Sequence, residues 1–230
     1  MNKDFILRLT KYKRLLNKLK SLGFERVFSN NLGDAIGISP ALVRKDFSTL
    51  NFPGNKRGGY NIDTLIESLD KLLGQDKPQR VVIVGCGRIG SALMQYSGFA
   101  VDGIQIVAGF DKHPEDVQAP ESIPVLPMEK LVDFVKQENI LVGIIAVPDN
   151  EASKVLDQMI EAGIRGFLNF APVELKCSRA DLARECTIHN VNIALELEHL
   201  FYLVNAQKNS PQLMAKLGKE SGRKNADQDT

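Results

Sequence analysis

The run Gly85-Cys86-Gly87-Arg88-Ile89-Gly90 constrains this chain more than any other feature. It stands between the apolar segment Arg80-Val81-Val82-Ile83-Val84 and the helical pattern Ser91-Ala92-Leu93-Met94. A strand that leaves through three spaced glycines into a helix opens a β-α-β unit. Gly85 permits the tight turn, and Gly90 lets helix and strand lie close together. Gly87 brings the backbone to the surface where an anionic group can approach it.

The rest of residues 80–190 repeats that theme, with short β-branched runs alternating with helical patterns. This is the signature of a mainly parallel sheet in an α/β domain. Ile104-Gln105-Ile106-Val107-Ala108-Gly109-Phe110 reads as a second strand ending in Asp111, 21 residues past Gly90. A carboxylate about 20 residues beyond the glycines is placed to accept hydrogen bonds from an adenosine ribose, and it repels a 2′-phosphate. NAD(H) is therefore expected over NADP(H), although Lys112 beside Asp111 pulls the other way. Leu141-Val142-Gly143-Ile144-Ile145-Ala146-Val147 ends in Pro148, and Gly166-Phe167-Leu168-Asn169 exits through Phe170. Both carboxyl ends are expected to border the ligand crevice. The predicted cofactor contacts are Gly85, Cys86, Gly87, Arg88, Ile89, Gly90, Asp111, Lys112, Val147, Pro148, Asn169, Phe170 and Tyr96. Tyr96, read as late in the first helix of this unit, either reaches the cofactor or packs in the core. Cys86 is either a small filler between glycines or a thiol acidified by a helix N-terminus.

The chain before the glycines has a different character. Residues 1–60 carry 12 Lys and Arg against 4 Asp and Glu, while the rest carries 17 against 24. The net charge of +1 thus hides a basic head on an acidic body, the electrostatic footprint of a nucleic-acid-binding module. Phe5, Leu9, Tyr12, Leu16 and Leu19 recur at helical spacing. Leu32, Ala35 and Ile36 predict a short second helix ending at Gly37. Ser39 then stands as an N-cap with Pro40 at the first helical position. The third helix buries Val43, Phe47 and Leu50 and turns Arg44, Lys45 and Ser48 outward, as the second helix of a helix-turn-helix does. Gly54-Asn55-Lys56-Arg57-Gly58-Gly59-Tyr60 follows as a basic hairpin tip, a wing with Lys56 and Arg57 set for the DNA backbone. Ile62, Leu65, Ile66 and Leu69 mark a fourth helix. The predicted DNA contacts are Ser39, Arg44, Lys45, Ser48, Lys56 and Arg57.

The expected organisation is a winged helix-turn-helix domain at 1–77, a Rossmann-type domain at 78–206, and a polar tail at 207–230 too poor in apolar residues to order. Gly74 to Gln79 reads as the linker. Ile193 to Val204 is apolar on nearly all sides and must be buried; as a late element it is expected to pack into a partner subunit. No apolar run reaches the ~20 residues of a membrane span. The N-terminus does not read as a secretory signal, and Cys86, Cys177 and Cys186 do not form a disulfide framework. The cell interior is the expected compartment. The three histidines lack metal-ligand spacing and no catalytic set can be assembled, so neither a metal nor an enzyme is expected.

Leu42-Val43-Arg44-Lys45-Asp46-Phe47-Ser48, the glycine-rich wing, the glycines at 85–90 with Asp111, and Gly163 to Pro172 together resemble the redox-sensing repressor family Rex, across residues 5–205. The resemblance implies a homodimer that binds palindromic operator DNA when NADH is scarce and releases it when NADH rises. It implies that the helix at 193–205 is exchanged between subunits, that Arg14 links head to core, and that the Tyr96 ring moves when NADH binds. Two positions depart from the family pattern. Asn192 stands where the family has an aspartate, which removes a negative charge from the nicotinamide side and a full ion pair from Arg14. The wing is also one residue tighter than the usual Arg-Gly-x-Gly-Tyr. Arg14, Tyr96 and Asn192 are the expected switch residues. An NAD-dependent oxidoreductase with an N-terminal extension is the main rival, and a sensor of another adenine nucleotide such as coenzyme A the second.

Overall fold

The structure is a computed structural model that describes residues 3–54, 58–74, 78–177 and 185–209. It contains two compact units. The first takes in residues 1–80 together with 96–105, and the second takes in 81–95 and 106–230.

The head begins with α1 (Lys3–Ser21), whose Leu9, Tyr12 and Leu16 are fully buried at the predicted spacing. A short strand β1 (Arg26–Val27) leads to α2 (Ser29–Ile36), which ends at Gly37 in the left-handed conformation. α3 (Pro40–Thr49) starts as its sequence dictates: the Ser39 side chain accepts the N–H of Leu42 at 3.2 Å, and Pro40 supplies the fixed φ of the first turn. β2 (Tyr60–Asn61) pairs antiparallel with β1. α4 (Ile62–Leu73), capped by Asn61, then closes the core with Ile62, Leu65 and Leu69. The wing tip, with Lys56 and Arg57, lies outside the described residues. At its base Arg26 donates to the Gly58 carbonyl at 2.5 Å.

The sheet starts with β3 (Gln79–Val84), followed by the short helices α5 (Arg88–Met94) and α6 (Gly98–Val101) and then β4 (Ile104–Asp111). Next come β5 (Val125–Pro127), α7 (Leu131–Glu138), β6 (Val142–Ile145), α8 (Asp149–Ala162) and β7 (Gly166–Asn169). β8 (Thr187–Asn190) and α9 (Ile193–Asn209) complete the described chain. The six strands lie in the order β5-β4-β3-β6-β7-β8. β4 and β5, β3 and β6, β6 and β7, and β7 and β8 all pair parallel. The core is Val82, Val84, Ala108, Phe110 and Ile145 against the inner faces of α7 and α8.

Two sequence expectations change. The helix after the glycines is only seven residues long and stops at Met94, so Tyr96 is not late in that helix but in the break before α6. The last helix runs on to Asn209, past the expected start of the tail at 207; residues 210–230 lie outside the described residues.

Candidate functional site

The strand order reverses between β3 and β6, which is where open α/β sheets bind ligands beyond the carboxyl ends of their strands. A cleft of about 480 Å³ opens there. Val84, Gly85 and Gly87 border it after β3, Phe110, Asp111 and Lys112 at the end of β4, and Ala146, Val147 and Pro148 after β6. Asn150, Glu151 and Lys154, from the first turns of α8, form the far side.

The glycines have separate duties. Gly85 has φ +89°, and a Cβ there would stand 2.5 Å from the Ala146 carbonyl. At Gly90 a Cβ would fall 2.0 Å from the Gly85 carbonyl, so helix and turn touch there as predicted. A Cβ at Gly87 would meet nothing within 4 Å and would project into open space at the cleft. That is the space a pyrophosphate would need, so the residues present fit a dinucleotide.

Asp111 is already engaged. One carboxylate oxygen accepts the Cys86 N–H at 2.7 Å and the other accepts the His113 N–H at 3.0 Å. Each oxygen keeps a lone pair for a ribose hydroxyl. The Cys86 thiol is buried, and burial first, then the Asp111 charge, pushes it from its ordinary 9.0 up to about 12. It is therefore the filler of the two readings offered for it, since an activated thiol needs its pKa lowered.

Not every predicted contact faces this cleft. Arg88 and Ile89 are exposed on the first turn of α5. Asn169 is fully buried and turned inward: its amide donates to the Val173 carbonyl at 2.7 Å and to Asn190 Oδ1 at 2.8 Å, and its oxygen accepts the Ala171 N–H at 2.9 Å. Its side chain knots the loop after β7 instead of lining the cleft. Phe170 does not line the cleft either; its N–H donates to the Ile145 carbonyl at 2.8 Å.

In the head, Arg44, Lys45 and Ser48 stand exposed on α3 while Val43 and Phe47 are buried beneath it. Arg44 donates to Ser29 Oγ at 3.1 Å, which spreads its guanidinium along the α2 side of the helix. The sequence reading missed what holds α3 in place. Asp46, only 3% exposed, takes a bidentate contact from Arg8 at 2.8 and 3.0 Å and the Tyr12 hydroxyl at 3.0 Å. Burial first, then the Asp46 hydrogen bond, raises the Tyr12 pKa, which keeps the phenol protonated as donor. Phe47 meets the rings of Tyr12, Phe52 and Tyr60 edge-on at 4.9–5.4 Å. A lone aspartate among outward charges was the only available signal.

Arg14 also has its carboxylate. Its Nε lies 3.3 Å from Asp102 Oδ1 and its Nη2 contacts Oδ2. Hydrogen bonding to Asp102 raises the arginine's pKa, with a small contribution from Tyr96. Tyr96 is 59% exposed and packs edge-on against Phe99 at 5.1 Å. The Asn192 Oδ1 accepts the Leu195 N–H at 3.0 Å and caps α9. In that helix Ile193, Leu195, Leu197, Leu200, Phe201, Tyr202 and Val204 are all exposed. Among the described residues the one group able to gather metal ligands is His113, Glu115 and Asp116, all of them exposed. No described helix is long and apolar enough to cross a membrane.

Residues 76–173 match the family model of a CoA binding domain, and residues 3–48 match the model described as "Putative DNA-binding protein N-terminus". The chain is 37% identical over 198 residues to the redox-sensing transcriptional repressor Rex of Desulforamulus reducens, covering 86% of this chain and 92% of that one. It is 34% identical to the Rex of Clostridioides difficile, covering 88% and 95%. Among solved structures, RSP in complex with beta-NAD+ and operator DNA superposes with a TM-score of 0.77 at 28% identity, covering 96% of this chain and 98% of that one. RSP in complex with beta-NADH gives 0.73 at 29% identity, covering 94% and 98%. With such likeness along nearly its whole length to proteins of that name, the chain belongs to the Rex family of redox-sensing transcriptional repressors.

Proposed function

We propose that this chain is a cytoplasmic transcriptional repressor, not an enzyme, that binds palindromic operator DNA as a homodimer and releases it when NADH fills the cleft. One observation carries the reading. The same chain presents a pinned helix with a bare basic face and a glycine cradle whose Gly87 backbone is open at the strand switch point. Relatives named as redox-sensing repressors, and RSP solved with NAD+ and operator DNA, support it.

On this reading Arg44 and Lys45 reach base edges or the adjacent phosphates, Ser39 and Ser48 flank them, and Lys56 and Arg57 hold the backbone from the wing. Each phosphate contact adds about one unit to the salt dependence of binding. The dinucleotide, when bound, supplies a nicotinamide whose ring charge differs between its oxidised and reduced forms. The turn at 85–90 holds the pyrophosphate and Asp111 orients the adenosine ribose, with Val147 and Pro148 closing the opposite wall.

The bare apolar surface of α9 is the surface for the second copy. Burying a large apolar side chain there stabilises the pair by about 1.5–3 kcal/mol. Two copies place two recognition helices on the half-sites of a palindrome. NADH then acts only through its different affinity for the DNA-competent and DNA-released arrangements. Arg14 and Tyr96 belong to this switch, with Asp102 as the carboxylate partner of Arg14. Asn192, being neutral, blunts discrimination between NAD⁺ and NADH. Coenzyme A is the second reading of the cleft, favoured by the description of the family model that matches it.

The test is a gel-shift series on a pool of palindromic DNA, with NADH, NAD⁺, coenzyme A or nothing added. A sequence-selective complex that NADH dissolves is expected. Lys45→Ala should weaken it by about 1–3 kcal/mol with NADH affinity unchanged. Dissolution by coenzyme A alone would replace NADH as the effector, and no selective complex at all would refute the repressor reading.

A further inference from the structure

Asp111 and Lys112 give contradictory instructions to a dinucleotide. The carboxylate repels a 2′-phosphate, and the ammonium next to it attracts one. Both line the cleft, so the NAD(H) preference expected from Asp111 meets an opposing charge at this spot. A third charged group bears on that conflict. Lys112 Nζ lies 2.7 Å from Glu151 Oε1, on the first turn of α8, which also lines the cleft. The Glu151 side chain is the less exposed partner, at 29% against 58% for Lys112. The hydrogen bond from Lys112 holds the Glu151 carboxyl below its ordinary range, so it stays charged at neutral pH. Lys154, one turn further along α8, adds a smaller pull in the same direction.

Around the cleft stand the carboxylates of Asp111, Glu129 and Glu151 and the ammonium groups of Lys112 and Lys154. Removing Glu151 would leave two of each sign and release Lys112 beside the ribose acceptor. We infer that Glu151 is a specificity-determining residue, which keeps the cleft selective for the dinucleotide lacking a 2′-phosphate by engaging the Lys112 ammonium in an ion pair. It acts through Lys112 and is therefore a positioning residue. The inference rests on the dinucleotide reading of the cleft given above.

The test measures NADH and NADPH dissociation constants on the full chain by titration calorimetry, for wild type, Glu151→Gln, Lys112→Ala and the double variant. Wild type should prefer NADH. Glu151→Gln should bind NADPH about tenfold tighter with NADH within about threefold of wild type, since a freed charge-assisted contact is worth roughly one decade. Adding Lys112→Ala to Glu151→Gln should abolish that gain. Equal changes for both ligands, no change for NADPH, or a gain that survives loss of Lys112 would overturn the inference. So would a wild type that binds both forms equally. A wild type that binds neither ligand would instead overturn the dinucleotide reading itself.

Discussion

Helices α3 and α9 both leave much of their surface bare, but α3 does so with Arg44, Lys45 and Ser48, and α9 with leucines, Phe201 and Tyr202. α3 is complete in a single chain. Its apolar stripe is covered, its first turn is capped, and a buried aspartate bolts it to α1. Its exposed groups are ones that water solvates well, so the helix waits for a charged partner at no cost to folding. α9 is incomplete in a single chain. Seven large apolar residues on one helix exceed what a lone surface element normally shows, and only a second apolar surface offsets their exposure. On the proposed function, the same geometric fact, an uncovered face, marks a ligand surface in one helix and an assembly surface in the other. Charge tells them apart, with the buried Asp46 contacts that only α3 has.

The largest effect is expected at α9. Replacing Leu200 and Phe201 together with aspartate should turn the dimer into monomer, read by sedimentation, because two charges would have to enter the apolar interface. A dimer that survives would mean another surface joins the copies and α9 is covered by something else. A smaller effect is expected at the bolt of α3. Asp46→Ala strands the Arg8 guanidinium and should destabilise the head by about 3 kcal/mol, at the lower end for a broken buried pair because Arg8 keeps some water. Chemical denaturation should show the head melting early while NADH still binds. The smallest effect belongs to Asp102→Asn. The Arg14 pair is largely exposed, so stability should change by under about 1 kcal/mol. If the pair helps set the switch, the NADH concentration that releases DNA should shift nonetheless.

Much of this was legible in residue patterns, for identifiable reasons. The glycines at 85 and 90 announce close approaches that no other residue tolerates. Ser39-Pro40 announces a helix start because the cap and the fixed φ act within one turn. Illegible features depend on contacts far apart in the chain. β5 is three residues long and β8 only four, with His189 and Asn190 in its run. β8 exists because it pairs along β7 and because Asn190 clamps both backbone groups of Leu175. Asp46 looks like one more polar residue on a basic helix until Arg8 and Tyr12 are seen to reach it from 38 and 34 residues away. Asn169 sits at a strand end, where ligand contacts are expected, yet Asn190 and the loop after β7 take up its side chain. Lys112 was legible as a complication, whereas its neutralisation by Glu151 was not.

On the proposed function, occupancy of the glycine cradle controls the grip of α3 on DNA. The most direct measurement is the dissociation constant for one selected operator, at fixed salt and fixed total dinucleotide, as the fraction present as NADH is raised from none to all. Affinity should fall progressively as NADH replaces NAD⁺. An operator affinity that stays flat across the whole titration, in a protein shown in the same samples to bind the dinucleotide, would contradict it.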